Sequence, residues 1–84
     1  MRKPEDVLME REKTHGSYTW TSKISQNIKD TLRTGLRWHE MTPSQSEALD
    51  NIATKMARIV SGDPEFKDHW EDIEGYARLI NDGH

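Results

Sequence analysis

Cysteine is absent from the chain. That removes disulfides and thiolate metal sites, and with them any need for an oxidising compartment. No apolar run approaches the roughly 20 residues of a membrane-spanning helix, and the N-terminal stretch MRKPEDVLMEREK is too charged for a signal peptide. The expectation is a cytoplasmic protein with no membrane partner. Large core-forming residues are scarce: five Leu, six Ile, two Val and a single Phe among 84 residues. Such a composition borders on disorder, but disorder also needs a high net charge. Here the net charge is only −3, and three Trp are present. The chain therefore reads as one folded domain, residues 1–84, with a thin core. Two or more copies would relieve that shortage, so a homo-oligomer is expected. A pI near 5.7 argues against general nucleic-acid binding through charge alone.

Strand signals are missing too: nothing alternates apolar and polar for long. Helical periodicity recurs instead and predicts an all-α fold, a small four-helix domain. Pro4 followed by Glu5 and Asp6 suits a first helix, with proline in the first turn and acids at the positive end of the dipole; Gly16 ends it. Ile24, Ile28, Leu32 and Leu36 step by four and predict a second amphipathic helix, capped by Thr19 or Thr21 and running to about Arg37. Thr42, Pro43 and Gln45 form a capping box that opens a third helix, which Gly62 stops. Asp63 and Pro64 begin a fourth by the same logic, with Phe66, Trp70, Ile73, Ala77 and Ile80 on its apolar face and Asn81-Asp82-Gly83 at its end. Helices three and four form a C-terminal hairpin.

Charge is uneven. Residues 1–40 hold eight basic and six acidic side chains, and residues 41–84 hold four and nine. Either the second half is a solvated acidic face, or it meets a basic partner. On the fourth helix Asp68 and Asp72 stand one turn apart, a repulsive spacing that a solvated face, a basic partner or Mg²⁺ would each suit. Asn51, Lys55 and Arg58 share a stripe of the third helix; they suit salt bridges to Asp68 or Asp72, or the phosphates of a ligand. The segment Lys13-Thr14-His15-Gly16-Ser17-Tyr18 is either a plain helix stop and turn or an anion-binding bend. Gly75 reads as close helix packing or as a dent that receives this bend. In the second case His15 and Tyr18 lie beside Asp72 and Tyr76 in one polar pocket, and the neighbouring carboxylate raises the His15 pKa.

The blocks Glu10-Arg11-x-Lys13-x-His15-Gly16-x-Tyr18, Lys55-x-x-Arg58-Ile59 and Asp68-x-x-x-Asp72-Ile73-x-Gly75-Tyr76-Ala77 together resemble a small phage and prophage family of unknown function. The same residues are more distantly similar to the nucleotide-modification-associated domain of phages, and through it to the all-α MazG-like pyrophosphohydrolases. That resemblance implies a helical, oligomeric, Mg²⁺-dependent protein in a bacterial host. The chain departs from the pyrophosphohydrolases in order: Glu47-x-x-Asp50 comes first and Glu71-x-x-Glu74 later.

Two expectations follow. In one, the protein binds a nucleotide or related phosphate ligand through Lys13, His15, Tyr18, Lys55, Arg58 and Tyr76, with Mg²⁺ on Asp68 and Asp72 and hydrolysis by a metal-activated water. In the other it is a non-enzymatic phage accessory protein that binds and inhibits a host defence or replication protein through its acidic face.

Overall fold

A computed structural model describes residues 3–84. Its helices are α1 (Pro4–His15), α2 (Tyr18–Leu32), α3 (Pro43–Ser61) and α4 (Lys67–Asn81), with a short 3-10 turn at Trp38–Glu40 between α2 and α3. No strand occurs among the described residues, and none of their helices is long and apolar enough to cross a membrane. The all-α architecture with a C-terminal hairpin is the one the periodicity predicts.

The longest helix, α3, is the spine. Its start follows from sequence alone. The Thr42 hydroxyl accepts the Gln45 backbone N–H at 3.1 Å, and the Gln45 side-chain oxygen accepts the Thr42 N–H at 2.9 Å. Pro43 fills the first helical position, where a missing N–H does no harm. Helices α2 and α4 pack on α3 rather than on each other, and α1 leans on α3 and α2 at one end. The buried apolar residues are Ala48, Ala53, Ala57 and Ile59. Alanine at three of these positions lets two helices approach α3 closely.

Three expectations about helix ends need correction. The cap of α2 is Ser17, whose hydroxyl accepts the Trp20 N–H, not Thr19 or Thr21. Thr21 instead turns inward and donates to the His15 carbonyl at 3.1 Å. At its other end α2 stops at Leu32, short of Arg37. Arg33 there donates to the Lys29 carbonyl and grips both carboxylate oxygens of Asp50 on α3 at 3.0 and 2.8 Å. The Thr34 hydroxyl closes the turn on Thr31. Leu36 consequently lies outside the helix and is 92% exposed. The line of α2 that faces α3 carries Thr21 and Ser25, both buried, while Ile24 is half-exposed. Finally, α4 starts at Lys67, three residues after Pro64. Asp63 caps a preceding turn by accepting the Glu65 N–H at 2.9 Å, and the Trp70 indole donates to the Pro64 carbonyl at 2.8 Å.

Candidate functional site

The bend after α1 is seated by two glycines. Gly16 has φ of +81°, in a region that L-residues rarely adopt. A β-carbon there would lie 2.6 Å from the Ser61 β-carbon. Gly62 is closer still: its β-carbon would lie 2.2 Å from the Thr14 carbonyl oxygen. The backbones of the first bend and of the α3–α4 turn thus meet without side chains between them. The Thr14 carbonyl, freed at the end of α1, accepts the Asp63 backbone N–H at 3.0 Å and the His69 Nε2–H at 3.0 Å. A carbonyl only accepts, so His69 carries its proton on Nε2.

His69 is 1% exposed and is the largest fully buried side chain among the described residues. Its ring meets His15 edge-on at 4.6 Å between centroids and Phe66 at 4.8 Å. The Thr14 hydroxyl donates to the Arg11 carbonyl, so its contact with His15 Nδ1 is a bond that the ring donates. Burial pushes the His15 pKa below the ordinary 6.5, and the nearby His69, Arg58 and Arg11 push it the same way. This is opposite to the rise expected from a neighbouring carboxylate, and Asp72 is not among the charges acting on His15. The Ser61 hydroxyl is buried without a partner.

The single polar pocket expected from His15, Tyr18, Asp72 and Tyr76 is divided among separate places. Nothing fills the space beside Gly75, because the bend docks on Gly62 instead. Tyr76 lies toward the start of α3, in an open groove with Pro43, Glu47 and Asn51. Tyr18 lies toward the other end, on the α2 side. Lys13 is exposed on the last turn of α1. Lys55 is committed to Asp72 at 2.7 Å, which holds the Asp72 carboxyl below its ordinary pKa. Asp68 is exposed. Among the described residues no three His, Asp or Glu side chains gather as a metal site. Of the two carboxylates expected to hold Mg²⁺, Asp72 is engaged by Lys55 and Asp68 is exposed.

What the fold does assemble is a groove of about 220 Å³ between α2 and α3, lined by Tyr18, Thr21, Ser22, Ser25, Gln26 and Lys29 on one side and by Thr54 and Arg58 on the other. No carboxylate lines it. Neither Lys29 nor Arg58 makes an ion pair within 4 Å among the described residues. The groove flanks the first turn of α2, where the helix dipole adds positive potential. Three of its hydroxyls are already engaged. Thr21 donates to His15, Thr54 donates to the Asp50 carbonyl at 3.2 Å, and Ser25 is left to donate to Thr54 at 3.4 Å. The groups free to face a ligand are Lys29, Arg58, Ser22, Gln26 and the Tyr18 phenol, which is 79% exposed as a residue. Of these, Tyr18 and Arg58 were legible as candidates. Lys29 was not, because only the docking of α2 on α3 brings it to the same groove as Arg58. No family model, no curated protein and no solved structure matches the chain.

Proposed function

We propose that the protein binds a phosphate-bearing ligand of the nucleotide class, with its phosphate in the α2–α3 groove. One observation carries this reading: Arg58 and Lys29, neither of them in an ion pair within 4 Å among the described residues, line one hydroxyl-bearing groove with no acid in its wall, although Asp72 and Asp50 lie within longer electrostatic reach of them. Arg58 supplies a planar fork suited to two phosphate oxygens, and Lys29 a second, point-like charge in the same groove. A volume of about 220 Å³ is below the roughly 300–1,000 Å³ of sites that enclose a whole small molecule. The groove therefore takes a phosphate or phosphosugar, and the base lies outside, where the exposed Tyr18 ring offers a stacking surface. As part of the same proposal, the protein acts in the cytoplasm of a bacterial host, the setting that a likeness to phage nucleotide-modification proteins would imply. The reading is one of binding, and Lys13, His15, Lys55 and Tyr76 do not line this groove.

Titration calorimetry with adenosine, AMP, ADP and ATP, each with and without Mg²⁺, tests it. AMP and the longer nucleotides bind and adenosine does not. Arg58→Gln and Lys29→Gln each weaken binding by about tenfold or more, the loss of one charge-assisted hydrogen bond. Equal affinity for adenosine and AMP, or unchanged affinity in both variants, refutes the reading.

A further inference from the structure

The three longer helices form a single layer, with α3 between α2 and α4. Helical domains are ordinarily closed by packing one layer on another. Here the second layer is missing on one side. Leu49, Met56 and Val60 repeat along one stripe of α3 and are 37%, 45% and 69% exposed. On the adjoining stripe of α4 stand Trp70, 53% exposed, then Ala77 and Ile80. Leu49, Ala77 and Ile80 share an open apolar groove of about 500 Å³ between the two helices.

The chain as a whole exposes more surface than a closed monomer of its mass would, enough to supply a dimer interface. Its accessible surface is 6389 Å², about 1,200 Å² above the roughly 5,200 Å² expected for a folded monomer of its mass. Its radius of gyration is 14.6 Å, against about 12 Å for a compact chain of this length. An interface that removed about 1,200 Å² from each of two copies would bury about 2,400 Å² in total, within the range of obligate homodimers.

From this we infer that the α3–α4 face binds a second copy of the same chain about a two-fold axis, closing two helical layers into one bundle. The charges on its rim fit that symmetry. Glu74 and Arg78 flank Ala77 at the edge of the face, one helical turn apart, and neither makes an ion pair among the described residues. When α4 crosses its two-fold mate antiparallel near Tyr76, each Glu74 meets the mate's arginine and each Arg78 its glutamate. The inference is independent of the phosphate-binding reading, since the ligand groove lies on the α2 side of α3.

Sedimentation equilibrium of the full chain tests it. The wild-type protein sediments at twice its 9.8 kDa at about 100 µM and dissociates on dilution. Leu49→Glu and Ala77→Glu place an unpaired carboxylate in the interface and raise the dissociation constant about 100-fold. Leu8→Glu, on the exposed face of α1, leaves it unchanged. Glu74→Arg and Arg78→Glu each weaken the dimer about tenfold, and the double exchange restores it, which decides the matter even where Leu49→Glu fails to fold. The inference is overturned by a wild-type monomer at that concentration, by a dimer that Leu8→Glu breaks while Ala77→Glu does not, or by a double exchange that stays as weak as the singles.

Discussion

Replacing Gly62 by alanine probes the contact that holds α1 to the rest of the fold. The new methyl carbon would stand 2.2 Å from the Thr14 carbonyl oxygen, 2.5 Å from its carbon and 2.7 Å from the Gly16 nitrogen. All three are backbone atoms, so no side-chain rotation relieves the overlap, and the bend must move away. The two bonds accepted by Thr14, from the Asp63 N–H and from His69, are then lost. Each contributes about 1 kcal/mol net, and a buried imidazole left without an acceptor adds about 1–3 kcal/mol of its own. Alanine returns about 0.4–1 kcal/mol by restricting the unfolded chain. The net loss is about 2–4 kcal/mol, a large part of the roughly 4–13 kcal/mol expected for a chain of this length.

Urea denaturation at fixed protein concentration measures it, and amide exchange along α1 shows whether that helix comes away before the others. Gly75→Ala is the internal control. Nothing lies within 4 Å of the position its methyl group would take. On an exposed helical site alanine is better than glycine by about 0.5–1 kcal/mol, so this variant is more stable than wild type. A Gly62→Ala protein within 0.5 kcal/mol of wild type would refute the proposed seating of the bend.

The remaining predictions concern titration and polar burial. Arg58→Gln removes one of the positive charges that depress His15, so the His15 pKa, read from its ring protons by NMR, rises toward 6.5; an unchanged titration places Arg58 elsewhere. Because the fold favours neutral His15, its share of stability is complete above about pH 6.5 and is lost as pH falls through the lowered folded value, and urea midpoints across that interval show the decline. Asp50 and Asp72 are held below the usual carboxylate range by hydrogen bonds from Arg33 and Lys55. Their contribution is complete above about pH 4 and disappears as pH falls through the lowered values, so Asp50→Asn and Asp72→Asn flatten the acid limb of the stability curve. Ser61→Ala removes a buried hydroxyl that has no partner and leaves stability unchanged or raises it by about 1 kcal/mol; a loss of that size would mean the hydroxyl is bonded.

Local signals announce themselves in this chain, and relations between helices do not. The box at Thr42 and Gln45 is complete within four residues, and the structure realises both of its bonds. Gly16 and Gly62 stop helices where their lack of a side chain suggests. The pairing of Lys55 with Asp72 was one of the options that a hairpin of α3 and α4 leaves open. Which stripe of α3 turns inward was legible only in part: the apolar face Leu49, Ile52, Ala53, Met56, Ile59 and Val60 includes the buried Ala53 and Ile59 but neither Ala48 nor Ala57. Leu49, Met56 and Val60 are the more hydrophobic residues, yet Ala53 and Ala57 are buried to 1% and 0% exposure, because a helix flanked on two sides by close neighbours favours small residues. The same geometry hid His69. Read by hydrophobicity, α4 turns on Phe66, Trp70 and Ala77, but the helix is rotated so that His69 faces inward, where the Thr14 carbonyl receives its proton.

The ligand groove depends on that same long-range seating. Lys29 and Arg58 are 29 positions apart in the chain, and nothing in either neighbourhood pairs them. They line one groove because Gly16 lies against Ser61 and Gly62, which sets where α2 begins relative to the end of α3. From there the arginine clamp of Arg33 on Asp50 fixes the other end of α2 along the spine. A close backbone approach at one end and an ion pair at the other determine the register of the two helices, and the register determines which side chains line the groove. Glycine at position 62 is therefore a condition of the proposed binding site as well as of the fold. On the phosphate-binding proposal, Gly62→Ala weakens binding in the groove even though none of the atoms it displaces lines it.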